Sequence, residues 1–312
     1  MGEFMLYGIS ELKRLASSVN IKPDKCYYHA GGRNICIVDD SAEVPLIRFT
    51  PFEKYKWLNM GFSTRLGGVS KGYFASLNLG FNRGDARENV CENYKRACKA
   101  MDGCYKNLVL SDQVHDTKVK YVDKTYTAGE NIEKKLIGVD GMVTDVPGII
   151  LATSYADCVP LFFADPGKHV IASSHSGWRG TAGFIGSKTV QKMESQFGSR
   201  RDDIICVIGP SICQDCYEVS IDVIDQFKKV YPENTWKDIF YCKNSEEKKY
   251  QLDLWAANYH QLLLAGLKKE NIHVSGLCTC CGNMVLFSHR ASDGKRGNLN
   301  GFIMIQEGKW FK

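Results

Sequence analysis

The sequence predicts a single-domain α/β (α+β) fold, a layered sandwich with mixed sheets. Three observations carry that expectation. Strand-like apolar runs and helical periodicities interleave along all 312 residues. Their order lacks the strict strand–helix–strand repeat of a doubly wound parallel sheet. No internal repeat, low-complexity tract or linker divides the chain, and its length suffices for one sizeable core.

In chain order, a short helix is expected around Ser10–Ala16, within an accessory segment spanning residues 1–44. The remainder, 45–312, is expected to form one domain. Val44–Phe49 opens it as a strand, and Ile149–Thr153, Lys168–Ser173 and Asp203–Ile208 follow, each rich in β-branched residues. Val190, Met193 and Phe197 recur at helical spacing, as do Trp255, Tyr259, Leu262 and Leu263. Those stripes belong to the core rather than to a cofactor.

A formal charge of +5 is mild and has no basic cluster behind it; Lys228-Lys229 and Glu246-Glu247-Lys248-Lys249 are solvated faces. A nucleic-acid partner is therefore not expected, whereas a small anionic substrate is compatible. The most apolar stretch, Gly148–Ala164, is broken by Asp157 and Pro160, so no membrane span is expected. Met1–Asn20 has no uninterrupted apolar core, and thirteen cysteines, an odd number, fit reduced thiols in the cytoplasm. Nothing resembles a heptad seam, which fits a monomer or small homo-oligomer.

Chemistry concentrates at three positions. His115 stands in Gln113-Val114-His115, Cys158 in Ala156-Asp157-Cys158-Val159-Pro160, and His175 in Ser174-His175-Ser176-Gly177-Trp178-Arg179-Gly180. All three are expected at strand ends. Two imidazoles and a thiolate make a sound shell for one Zn²⁺, and three protein ligands leave a position open, as in catalytic sites. Taken singly, each residue is better read as a packing thiol or a hydrogen-bonded surface histidine; their contexts together favour the metal. A competing site pairs Cys213-Gln214-Asp215-Cys216 with Cys278-Thr279-Cys280-Cys281, the pattern of a four-thiolate structural zinc. Against it, the first knuckle is expected to run straight into a helix, the separation is long, and adjacent Cys280 and Cys281 chelate one ion poorly. Packing thiols are the favoured reading there.

Ordered motifs over roughly residues 45–305 extend this. They include Gly61-Phe62-Ser63-Thr64-Arg65-Leu66-Gly67-Gly68, Ala75-Ser76-Leu77-Asn78-Leu79-Gly80, Asp140-Gly141-Met142-Val143-Thr144, Gly209-Pro210-Ser211-Ile212 and Phe287-Ser288-His289-Arg290, besides the three contexts above. Together they closely resemble the laccase-domain (YfiH-like) family, first described as multicopper polyphenol oxidases and later as purine nucleoside phosphorylases. The resemblance implies an α/β/β/α sandwich related to a cysteine-dependent deamidase toxin fold, with one zinc on His115, Cys158 and His175. It also implies phosphorolysis of adenosine, inosine, guanosine and methylthioadenosine, with adenosine deaminase side activity. The chain departs from the family at Asp116 (usually glycine), at Ser176 (usually alanine), and at Ser288-His289-Arg290-Ala291, where Ser-Tyr-Arg-Arg is usual. The second arginine's role is then either absent or moved, with Arg296 the substitute in the second case.

For that chemistry Arg65 is the first candidate for binding phosphate, with Arg179 and Arg290 second, because a guanidinium grips an anion through parallel hydrogen bonds. Asn78 is a candidate for positioning ribose or phosphate oxygens, with a turn-forming asparagine the plainer alternative. Asp157 is the candidate carboxylate for orienting an imidazole or shuttling a proton. Two alternatives remain. A copper-dependent polyphenol oxidase (laccase) would put copper in place of zinc, although seven histidines are too few for a full multicopper set. A Cys-dependent amidase, or peptidoglycan-editing factor, would use Cys158 as nucleophile and His175 as base.

Overall fold

The structure, a computed structural model, describes residues 3–18, 21–28 and 34–308. Two mixed sheets stack face to face. The larger runs, in spatial order, Cys36–Asp39, Leu46–Phe49, Leu58–Ser63, Leu299–Ile305, Ile150–Tyr155, Leu108–Asp112 and Leu136–Ile137. The smaller runs Ile272–Val274, Ile205–Ile208, Val159–Asp165, Val170–Ser176, Gly141–Thr144 and Val119–Tyr121. Most pairs are antiparallel, but Leu108–Asp112 pairs in parallel with Ile150–Tyr155, and Ile205–Ile208 with Ile272–Val274. A third, three-stranded sheet holds Glu218–Ser220, Lys249–Leu252 and Phe240–Asn244.

Side-chain alternation builds the layers. Along Val159–Asp165, Phe162 and Ala164 point into the core between the sheets, while Leu161 and Phe163 point into a second core beneath helices. Such a strand is buried on both faces, which explains its unbroken apolar run. Helices Ile185–Phe197 and Leu254–Leu264 cover the smaller sheet through Ile185, Val190, Met193, Trp255, Tyr259 and Leu262. The second starts at Asp253, whose carboxylate accepts from the Ala256 N–H at 3.0 Å. Helix Arg87–Ala100 covers the larger sheet through Val90, Tyr94 and Ala97. The result is the layered α/β/β/α sandwich that the sequence predicts.

Differences from the expected elements are local. The first helix spans Glu3–Ser17 rather than Ser10–Ala16, and its Leu12 and Ala16 join the core between the sheets. The expected strand Lys168–Ser173 instead runs Val170–Ser176, because Asp165 accepts from the Gly167 and Lys168 N–H groups and closes a turn there. Residues before 45 pack onto the same body: Cys36–Asp39 pairs with Leu46–Phe49, and Lys25 meets the buried Asp253 at 2.9 Å. Among the described residues no helix is long and apolar enough to cross a membrane.

Two chain crossings position the chemistry. Ile150–Tyr155 lies in the larger sheet and Val159–Asp165 in the smaller, so Ala156-Asp157-Cys158 is the turn that carries the chain between them. Leu108–Asp112 and Val119–Tyr121 are related in the same way, and His115 lies in the connection. His175 sits near the end of Val170–Ser176, directly opposite Pro160.

The sheet-to-sheet fit leaves no room at Gly301, where an added Cβ would stand 2.2 Å from Cζ of Phe162. Gly301→Ala should cost about 1–3 kcal/mol by overpacking, read from the denaturant unfolding midpoint. Adding Phe162→Leu should recover most of the loss; equal instability of the pair would place the strain elsewhere.

Candidate metal centre

The three predicted ligands come together. Nε2 of His115 lies 3.8 Å from Sγ of Cys158, and the donor atoms of His115, Cys158 and His175 all lie within 4.8 Å of one another. A tetrahedral zinc with bonds of about 2.0–2.1 Å to nitrogen and about 2.3 Å to sulfur separates those atoms by about 3.6 Å. The imidazoles stand nearly perpendicular, their centroids 4.8 Å apart. His115 is exposed, Cys158 half-buried and His175 buried, so the group opens to solvent on the His115 side. Two of the eight left-handed residues other than glycine among the described residues fall here: His115 has φ +63° and Asp157 φ +90°. At Gly177 a Cβ would stand 2.9 Å from Cδ2 of His115 and 3.3 Å from Sγ of Cys158. Only glycine leaves this cradle free for an ion.

Asp140 organises the group. It is fully buried, and its carboxylate accepts the backbone N–H groups of Val114, His115 and Asp116 at 3.0, 3.0 and 3.1 Å. It also faces Nδ1 of His175 at 2.8 Å. One carboxylate thus folds the His115 loop and orients the His175 ring, leaving Nε2 of His175 as the free donor. The sequence offers Asp157 for orienting an imidazole or shuttling a proton, but its carboxylate accepts from the Thr279 hydroxyl at 2.6 Å and the Arg290 N–H at 2.7 Å and faces no imidazole. Asp157 shapes the turn, and the imidazole partner is Asp140. The sequence carried Asp140 inside a motif without a local sign of this role.

Charge follows from that geometry. Burial pushes the Asp140 carboxyl up, but the His175 hydrogen bond and backbone donors hold it below the usual carboxylate range. Burial likewise raises the Cys158 thiol, and the facing His175 and His115 overcome it, bringing the thiol down to about 6. His175 resists charging through burial, yet Cys158 and Asp140 lift it to about 9.

The triad forms part of the wall of a cleft of about 220 Å³, shared with Phe81, Arg83, Gln113, Lys134, Arg296 and Asn298. The other predicted residues do not line it. Arg65 donates to the carbonyls of Ala75 and Asn283, at 2.8 and 2.9 Å, and lies over Phe287 in a neighbouring hollow that shares Arg296 with the cleft. Asn78 is buried and accepts from the Gly80 and Asn298 N–H groups, so it builds the turn behind the wall. Arg179 is exposed over the Trp178 ring. Arg290 donates to the carbonyls of Cys216 and Glu218, both at 3.0 Å. The cleft's cations are Arg83, Lys134 and Arg296. Arg296 is buried with Nε unpartnered, and burial, with Arg83 nearby, lowers it to about 10. Arg83 had no motif signal, and Arg296 showed only as a substitute for a missing arginine.

Two measurements probe this geometry. Asp140→Asn removes the charge that orients His175, and metal affinity by chelator competition should fall about 10–100-fold. In metal-stripped protein, alkylation of Cys158 followed by peptide mapping should be slow in acid, rise through pH about 6 and level off by neutrality. A midpoint near the ordinary thiol value of about 8.5 would contradict the described electrostatics.

Residues 59–306 match the family model described as multi-copper polyphenol oxidoreductase laccase. The chain is 36% identical over 252 residues to the purine nucleoside phosphorylase YlmD of Geobacillus stearothermophilus, covering 79% of this chain and 90% of that relative. It is 35% identical to the adenosine deaminase RL5 of an unknown prokaryotic organism, over 73% of this chain and 87% of the relative. The crystal structure of YlmD from Geobacillus stearothermophilus superposes with a TM-score of 0.82 at 33% identity, covering 88% of this chain and all (100%) of that one. The fold, the ordered motifs and these likenesses agree: the chain belongs to the multi-copper polyphenol oxidoreductase laccase family, the YfiH-like group whose relatives are named as purine nucleoside phosphorylases and adenosine deaminases.

Proposed function

We propose that the chain is a zinc-dependent purine nucleoside phosphorylase acting on adenosine, inosine, guanosine and methylthioadenosine, with adenosine deaminase side activity. One observation carries this reading. The two-imidazole, one-thiolate group and three cationic side chains, Arg83, Lys134 and Arg296, line the same small cleft. The relatives' printed names point the same way.

His115, Cys158 and His175 would hold the ion, which when bound supplies a Lewis acid on the cleft wall. The chain's own residues do the remaining work. Phosphorolysis breaks the bond between ribose C1′ and the base nitrogen and forms one from C1′ to a phosphate oxygen. Arg296 and Arg83 suit the phosphate, since a guanidinium pairs two N–H groups with two anionic oxygens. Lys134 adds a point charge, steadied by Asp112 at 3.5 Å. Phe81, held between the Tyr94 ring and the Arg87 guanidinium, adds an aromatic side chain to the cleft wall that a purine could meet. Asp140 keeps His175 in one tautomer throughout.

A copper oxidase reading meets an obstacle in the donors: the metal-capable groups among the described residues bring at most two imidazoles together, fewer than a three-copper cluster requires. The amidase reading draws on the lowered Cys158 thiol beside His175. Alkylation separates it from the metal reading, since a ligand sulfur reacts only after zinc is removed, whereas a nucleophile reacts with zinc in place.

The test is incubation of metal-quantified protein with inosine or adenosine, with and without phosphate. Phosphate-dependent release of free base is expected; ammonia release alone, or no turnover with zinc bound, would refute phosphorolysis. Arg296→Ala should lower kcat/KM for phosphate roughly 10- to 100-fold, matching about 1.5–3 kcal/mol for a charge-assisted contact. Arg290→Ala, outside the cleft, should change it far less.

A further inference from the structure

A second cluster stands apart from the cleft. Cys213, Cys216, Cys278 and Cys281 bring their four sulfurs within 4.8 Å of one another, with the Cys216 and Cys281 sulfurs 3.5 Å apart. Four sulfurs around one zinc, with bonds of about 2.3 Å, stand about 3.8 Å apart. The spacing of each pair is C-x-x-C, and Cys280 is not used; it packs toward the helix-side core while its carbonyl accepts from Asn283. The objection that adjacent Cys280 and Cys281 chelate poorly therefore falls away. So does the expectation that the first knuckle runs straight into a helix: Gln214–Cys216 is a single 3-10 turn, followed by the strand Glu218–Ser220.

The backbone is arranged for thiolates. The N–H groups of Cys213 and Cys281 both point at Sγ of Cys278, at 3.3 and 3.4 Å. The two knuckles are joined by the Ser211–Cys278 bridge, with the Thr279 N–H donating to the Ser211 carbonyl at 3.1 Å. Lys22 and Lys25 line the hollow that Cys213, Cys278 and Cys281 also line, each paired with a carboxylate there, Lys22 with Asp215 at 4.0 Å and Lys25 with Asp253 at 2.9 Å. All thirteen cysteines are free thiols, and 3.5 Å is far beyond the S–S bond of about 2.03–2.05 Å.

We propose that Cys213, Cys216, Cys278 and Cys281 bind a second zinc ion in a closed tetrathiolate site, structural rather than catalytic. Binding releases the thiol protons to solvent and fills all four positions with protein sulfur, so no vacancy remains for substrate. The ion staples two loops that grip the Cys158 turn. Ile212, beside one knuckle, donates its N–H to the Asp157 carbonyl at 3.1 Å, and Thr279, inside the other, donates its hydroxyl to the Asp157 carboxylate at 2.6 Å. The site thus positions the turn that carries Cys158 without touching the cleft.

The test uses the full chain. His115→Ala/Cys158→Ala protein, folded by circular dichroism, should retain one zinc per chain, and zinc K-edge absorption should give four sulfurs at about 2.3 Å. Cys216→Ser/Cys281→Ser should lose that ion. Peptide-mapped alkylation of the unmutated chain supplies a second readout that does not depend on this variant's folding: these four thiols should react only after chelation. Folded His115→Ala/Cys158→Ala protein without metal, or with fewer than four sulfurs around it, would overturn the proposal. A Cys216–Cys281 disulfide in the unmutated chain would do the same. An unmutated chain holding a single four-sulfur zinc would uphold this site while refuting the catalytic one.

Discussion

A carboxylate with no access to water must find donors inside the protein, and Asp140 finds four: three successive backbone N–H groups and the Nδ1 side of His175. An unpaired buried charge costs several kcal/mol, so the loop of residues 114–116 and the His175 ring are held together or the carboxylate is left bare. The left-handed backbone at His115 persists because these bonds over-determine it. Removing one donor would cost a hydrogen bond to a charged group and leave the other three to hold the carboxylate. The placing of the two imidazoles is in this sense a consequence of satisfying one buried anion.

The sandwich supplies what Asp140 cannot. His115 and Cys158 arrive on two separate crossings between sheets, and His175 arrives on a strand whose register sets it opposite Pro160, two residues from Cys158. Gly177 then keeps the space between them open. A rigid frame with a glycine-lined gap places donors more accurately than a flexible loop could. The cations of the cleft come from other parts of the chain: Arg83 from the loop before helix Arg87–Ala100, Lys134 from the approach to Leu136–Ile137, and Arg296 just ahead of Leu299–Ile305. The imidazole–thiolate group and the cleft's cations therefore meet only once both sheets are assembled.

What was legible in the chain was local. Strand runs such as Ile149–Thr153 and the Trp255/Tyr259/Leu262 stripe declare themselves through period and burial, and the motif contexts singled out His115, Cys158 and His175. Asp140 did not declare its role, because that role depends on the strand pairing that sets Gly141 opposite Ser174, far away in sequence. Arg65 and Asn78 attracted attention as polar residues in glycine-rich segments, yet their groups are spent on backbone partners such as the Asn283 carbonyl and the Gly80 N–H. Arg296 lacked a motif of its own. In the C-x-x-C pairs the spacing points to Cys281 rather than Cys280, but that the two pairs meet depends on the Ser211–Cys278 bridge, between residues far apart in sequence.

Phosphorolysis, as proposed, depends on an ion gripped by His115, Cys158 and His175. That dependence is tested most directly by titrating zinc back into metal-stripped protein while following release of free base from inosine in phosphate. Activity should return in proportion to occupancy, and Cys158→Ala should recover none. Undiminished turnover by the stripped protein, or by Cys158→Ala, would contradict it.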